Sequence, residues 1–244
     1  MTGNNKNDFS TFKERDKAAE KLMSLDGWQT GRKIERLEIS IFIFRGNLED
    51  IMKRIEFFKS PSSLILQDVR NRDELHQFFK EITRLLHNYL ASAMTLVDHT
   101  RILVRELYDG ENFSQFKDEY DSKKMICFAE NPLHQFIQGL RNYIIHKELP
   151  VIGSILNLNE IKSDLIIDIS ELRNNFEWNK FAKEFMDSKN DDEKLESIVL
   201  DYFKLVLDFH DWFYARQLEV HSEIFKEAND LRERIHNSRW TIKM

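Results

Sequence analysis

The chain has 244 residues, 41% hydrophobic and 32% charged, with a formal net charge of −6. That length and hydrophobic content support a sizeable core and place the chain outside the disordered class, while the negative charge argues against a surface given over to gripping nucleic acid. Only 7 Gly and 3 Pro occur, too few for many tight turns, so long helices are expected; the single Cys127 excludes an intramolecular disulfide and any multi-cysteine metal site.

The polar opening from Met1 to Asp8 carries no signal-peptide pattern, and apolar runs such as Ile41-Phe42-Ile43-Phe44 fall short of the roughly 18 residues of a membrane span. A soluble, cytoplasmic protein with no membrane partner is the expectation. Phe9 to Leu25 predicts a helix ending near Gly27. From Arg32 to Lys59, Ile34, Leu37, Ile41, Phe44, Leu48, Ile51, Ile55 and Phe58 recur at steps of three and four, which is helical spacing. The rival reading, a strand over Leu37 to Phe44, rests on its Ile and Phe content alone.

No Pro or Gly lies between Ser62 and Asp109, and Leu75, Phe78, Ile82, Leu85, Tyr89, Ala93, Leu96, Leu103 and Leu107 form a near-heptad seam. This predicts one long helix. A shorter helix is expected over Phe113 to Phe128. Asn131-Pro132 then sets a cap and a first-turn proline for another, which must stop before Pro150.

Between Val151 and Ser170, Ile152, Leu156, Leu158, Leu165, Ile167 and Ile169 sit at even spacing around the polar stretch Asn159 to Ser163, predicting a β-hairpin at about 151–170. Helical spacing resumes in Phe176 to Met186 and again from about 191 to 236, the latter a long and bent helix. The fold expected is all-α: one helical-bundle domain over 1–244, with long helices and a small β-hairpin insertion.

The 8 His residues show no HExxH, and no Gly-rich phosphate cradle or GxSxG elbow is present, so neither metal nor cofactor is expected. Cys127 reads as a structural thiol, and Phe209, Trp212, Phe213 and Tyr214 read as core. His87-Asn88 and Asp98-His99 read as polar pairs at the bundle edge.

What remains is Arg141-Asn142-Tyr143-Ile144-Ile145-His146. At about 100° per residue, Leu133, Ile137, Leu140 and Ile144 form an apolar stripe, with Gln135, Gly139, Asn142 and His146 opposite and Arg141 flanking them. Gly139 is expected to leave room for another backbone. A guanidinium binds phosphate oxygens, an imidazole titrates near neutrality, and an amide orients either one. Together these groups suit phosphodiester cleavage, in which the RNA 2′-hydroxyl is an internal nucleophile.

At these residues the chain resembles the HEPN superfamily of helical bundles, marked by an Arg-x4–6-His motif that commonly has Asn, Asp or His after the Arg. The resemblance covers a core of about 72–147. It implies a homodimer with a composite site at its interface, RNA as the ligand and, in active members, metal-independent endoribonuclease activity. Arg141 would hold phosphate, His146 would move the proton and Asn142 would position them. Arg70 to His76 and Arg216 to His221 also satisfy the loose pattern. The copy at Arg141 stands first because it closes a helix and opposes a clear apolar stripe. The alternative is a noncatalytic helical module that docks a protein partner.

Overall fold

The computed structural model describes residues 12–109, 114–150, 152–157 and 162–237. The fold is all-α, with a small antiparallel sheet. In chain order the elements are α1 (Phe12–Ser24), α2 (Asp26–Lys59), α3 (Arg72–Tyr108), α4 (Ser114–Lys124), α5 (Pro132–His146), β1 (Ile152–Asn157), β2 (Lys162–Asp168), α6 (Ile169–Asn175), α7 (Lys180–Asp187), β3 (Asp192–Lys194), α8 (Leu195–Val220) and α9 (Ser222–Asn237). No helix among the described residues is long and apolar enough to cross a membrane.

Contacts divide the chain into two compact units, 1–38 with 212–244, and 39–211. In the smaller, Ala18 and Leu22 of α1 cluster with Ala228 and Leu231 of α9. The spacing expected to end α1 near Gly27 instead ends it at Ser24, and Gly27 lies in the first turn of α2. A Cβ there would collide with the backbone carbonyl of Ile224. Close helix approach, not helix termination, is what requires this glycine.

In the larger unit the spaced apolar positions do face inward. Phe44, Ile51, Ile55 and Phe58 of α2 are buried, and the rings of Phe44 and Tyr89 stack at 5.0 Å and those of Phe58 and Phe78 at 5.1 Å, joining α2 to α3. A fully buried Phe contributes about 2–3 kcal/mol. Residues 37–44 are helical throughout, so the strand reading fails.

The helix expected from Ser62 onward starts only at Arg72, after two 3-10 turns over Pro61–Gln67 and Val69–Asn71. Side-chain bonds compete with the helix here. The Ser63 hydroxyl lies 2.9 Å from Ser60 O, the Asp68 carboxylate accepts from Arg70 N–H at 2.9 Å, and the Asn71 amide donates to Ile65 O at 2.7 Å.

The hairpin lies where the alternation places it, in a register that pairs Ile152 with Ile167 and Ile155 with Asp164; residues 158–161 at its turn lie outside the described residues. Two elements are additional to those expected. Asp168 accepts the Glu171 N–H at 2.8 Å and caps α6. Asp192–Lys194 then pairs antiparallel with β2 as a third strand, so α8 begins at Leu195. The long C-terminal helix breaks at His221, between α8 and α9.

Candidate functional site

The segment from Arg141 to His146 closes α5, and local chemistry sets both ends of that helix. Asn131 accepts the His134 N–H through Oδ1 at 3.0 Å, with Pro132 in the first turn, as expected of an N-cap followed by proline. At the other end Lys147 N–H and Glu148 N–H both donate to Tyr143 O, at 2.9 and 3.2 Å. The Tyr143 ring is buried, and its hydroxyl donates to Glu148 Oε1 at 2.7 Å. Burial and that carboxylate push the hydroxyl's pKa up, so Tyr143 is a neutral anchor beneath the segment.

The buried face of α5 comprises His134, Phe136, Ile137, Leu140 and Tyr143. It is rotated from the expected stripe, with Leu133 and Ile144 only half-buried. The expected open side is also partly covered. A Cβ on Gly139 would stand 2.6 Å from Cζ3 of Trp178, and Gln135 Oε1 accepts from the Asn179 amide at 2.5 Å. Gly139 therefore does make room, but for an indole ring from the chain's own 176–179 segment and not for another backbone.

Beyond that cover the three predicted residues reach the surface. Arg141 and Asn142 are half-buried and His146 is exposed. Arg141 Nη1 donates to Asn142 Oδ1 at a long 3.4 Å, and Arg141 Nε is buried without a hydrogen-bond partner. Among the described residues no carboxylate pairs with this guanidinium. Asn142 and His146 lie within about 40° of each other on the helix, whereas Arg141 and His146 are about 140° and about 7 Å of axial rise apart. One copy thus presents an amide and an imidazole in line, with a guanidinium joined to the amide from the side.

The other two Arg-x4–6-His stretches differ. Arg70 is held by the Asp68 carboxylate at 2.9 and 2.5 Å. Arg216 pairs with Glu219, and His221 is buried, which lowers its pKa. Only the stretch at Arg141 combines an arginine without a carboxylate partner and a solvent-exposed histidine. No family model, curated protein or solved structure matches the chain.

Other titratable groups fall into two kinds. His134 is buried with Nδ1 3.1 Å from the Tyr202 hydroxyl, and desolvation, aided by the Arg101 charge, depresses its pKa to about 4. His210, 3.0 Å from the Thr100 hydroxyl, is likewise lowered by burial. Both are neutral structural groups at pH 7. His99 bonds Ser40 at 2.6 Å and Asp98 pairs with Arg101, so the 98–99 dipeptide is a satisfied edge pair. Cys127 is half-buried in the π turn Met125–Ala129, and burial raises its thiol pKa, the opposite of what activates a nucleophile.

His87 lines a cleft whose lining does not include His146. It lies with His76, Lys80 and Arg84 along a cleft of about 490 Å³ between α3 and the end of α5. Two further clefts, one in the smaller unit and one beside Tyr108 and Tyr120, are lined by other residues. None of the three is lined by Arg141, Asn142 or His146. Neither the row of Lys, Arg and His on α3 nor the buried His134 is among the residues expected from the sequence. The row was legible as a basic or imidazole side chain at each of positions 76, 80, 84 and 87, which is helical spacing.

Proposed function

We propose that the protein is a HEPN-like RNA-binding protein that acts as a homodimer and cleaves RNA without a metal, using Arg141, Asn142 and His146. The observation that carries this reading is the contrast among the three motif-bearing stretches. Arg141 is the one whose guanidinium is left without a carboxylate partner beside an exposed histidine. No carboxylate among the described residues takes up this half-buried guanidinium, and phosphate oxygens are acceptors of matching geometry.

The angular separation of Arg141 and His146 supports a shared site. A single helix points its cation and its imidazole in different directions, and a twofold axis beside α5 brings the second copy's groups into the same space. In the reaction, His146 takes the proton from a ribose 2′-hydroxyl and the 2′ oxygen attacks the adjacent phosphorus. The bond from phosphorus to the 5′ oxygen breaks, and the partner's His146 protonates that leaving oxygen. Arg141 stabilises the charge on the phosphorane, and Asn142 fixes the guanidinium. The products are a 2′,3′-cyclic phosphate and a 5′-hydroxyl.

The test is incubation of purified protein with mixed RNA in a chelator. Fragments ending in cyclic phosphate, lost on His146→Ala, are expected.

A second reading, a noncatalytic module docking a protein partner, is favoured by one feature of α2. Ile39, Phe42 and Ile43 are 62%, 75% and 49% exposed on one side of that helix, and a Cβ added at Gly46 on the same side would meet no atom within 4 Å. Contiguous exposed apolar surface of this kind marks interaction sites. RNA left intact under every condition selects this second reading.

A further inference from the structure

The cleft between α3 and the end of α5 has two unlike walls. Along one, His76, Lys80, Arg84 and His87 succeed each other on one face of α3, spanning about 16 Å of helix with about 6 Å between Lys80 and Arg84. The rest of the lining is Phe79 and Thr83 of α3 and the apolar Ile144, Leu149 and Ile152. Ile152 is buried, but Leu149 is 59% exposed. The lining contains no acidic residue, although the chain carries a net charge of −6.

Arg84 is already ion-paired on its own helix, with Glu81. Glu81, outside the lining, grips Nε and Nη2 at 2.8 and 2.7 Å and leaves Nη1 as a donor. Lys80 has no ion-pair partner among the described residues.

We infer that this cleft is a binding site for a small organic phosphate monoester, its phosphate on Lys80 and Arg84 and its apolar or flat body against Ile144, Leu149 and Phe79. Lys80, which has no ion-pair partner among the described residues, supplies the charge for a dianionic head, and the Nη1 that Arg84 keeps outside its pair with Glu81 supplies a directed donor one helical turn away. The volume of about 490 Å³ is that of a small-molecule site. Two sources share this chemistry, a nucleoside monophosphate and an alkyl phosphate of lipid origin. The inference does not rest on the RNA-cleaving reading, because none of Arg141, Asn142 and His146 lines the cleft.

The test is calorimetric titration of the full chain with adenosine 5′-monophosphate, octyl phosphate, inorganic phosphate and adenosine. At least one ester is expected to bind tenfold or more tightly than inorganic phosphate and adenosine, and the tighter ester identifies the source. The double variant K80Q/R84Q is expected to weaken that ester at least tenfold, and Lys183→Gln, an exposed charge on α7, to leave it unchanged. Should loss of the Arg84–Glu81 pair disturb folding, Lys80→Gln alone is expected to weaken binding several-fold. Leu149→Ser is expected to weaken the ester while inorganic phosphate stays as it was. The inference is overturned if neither ester outbinds inorganic phosphate, or if folded Lys80→Gln protein binds the ester as the unaltered chain does.

Discussion

Gly139→Ala isolates the contact that seats α5, and its outcome can be worked from the structure. In a helix interior the change by itself gains about 1 kcal/mol from propensity. At position 139 the new methyl would lie 2.6 and 2.7 Å from Cζ3 and Cε3 of Trp178, so either the indole or the helix must move. The indole is held firmly, for its Nε1 donates to Leu172 O at 2.7 Å and its ring stacks on Phe136 at 5.5 Å. Forcing atoms into such packing costs about 1–3 kcal/mol, so a net loss of about 1 kcal/mol is expected. Gly46→Ala, with nothing within 4 Å, is expected to stabilise by about 1 kcal/mol. The same chemical change at two helical glycines should therefore differ in sign, with the two midpoints in urea, followed by far-UV circular dichroism, on opposite sides of the parent's. In a Trp178→Leu background the penalty at 139 should shrink, since the two sites are coupled through one contact. If Gly139→Ala stabilises as much as Gly46→Ala does, the packing argument for α5 is wrong.

Burial depresses the pKa of His134 to about 4, so the folded state holds it neutral where the unfolded chain binds a proton. The stability this contributes is present above pH ~6.5 and is lost as pH falls toward ~4, about 2 kcal/mol between pH 7 and 5. His210 and His221 are shifted the same way, so a His134→Gln variant is expected to flatten the pH dependence of the urea midpoint without abolishing it; an unchanged slope would refute the assignment. Gly27→Ala, which drives a methyl into the Ile224 carbonyl, is expected to lower the thermal midpoint by several degrees, and a midpoint at or above the parent's would refute the close approach of α2 and α9. Tyr143→Phe removes the hydroxyl that donates to Glu148 and is expected to cost about 1 kcal/mol in urea unfolding; no loss would mean that the bond does not anchor the end of α5.

Much of the helical architecture was legible because burial at steps of three and four leaves a record in sequence. Phe44, Leu48, Ile51, Ile55 and Phe58 all lie inside, and Asn131 caps where its position before Pro132 says it should. The remaining features depend on contacts distant in sequence or on side chains acting locally. The 3-10 turns before Arg72 arise from Ser63, Asp68 and Asn71 bonding nearby backbone, which no hydrophobic period records. The strand Asp192–Lys194 exists because β2 offers it an edge; its own residues are polar. Gly139 could be recognised as a place of close approach, but that Trp178 fills it requires the fold. Of the candidate site, the exposure of His146 follows from its place on the helix. That no carboxylate among the described residues pairs with Arg141 could not be read, because the chain contains 42 acidic residues and only folding decides which ones come near.

The most direct measurement is RNA cleavage in a chelator by folded variants of all three motif-bearing stretches, scored by the rate at which 2′,3′-cyclic phosphate ends appear. His146→Ala and Arg141→Gln are expected to lower that rate about 100-fold or more, while Arg70→Gln leaves it at the parental value. A rate that survives His146→Ala, or that falls equally with Arg70→Gln, would contradict the assignment of cleavage to the end of α5.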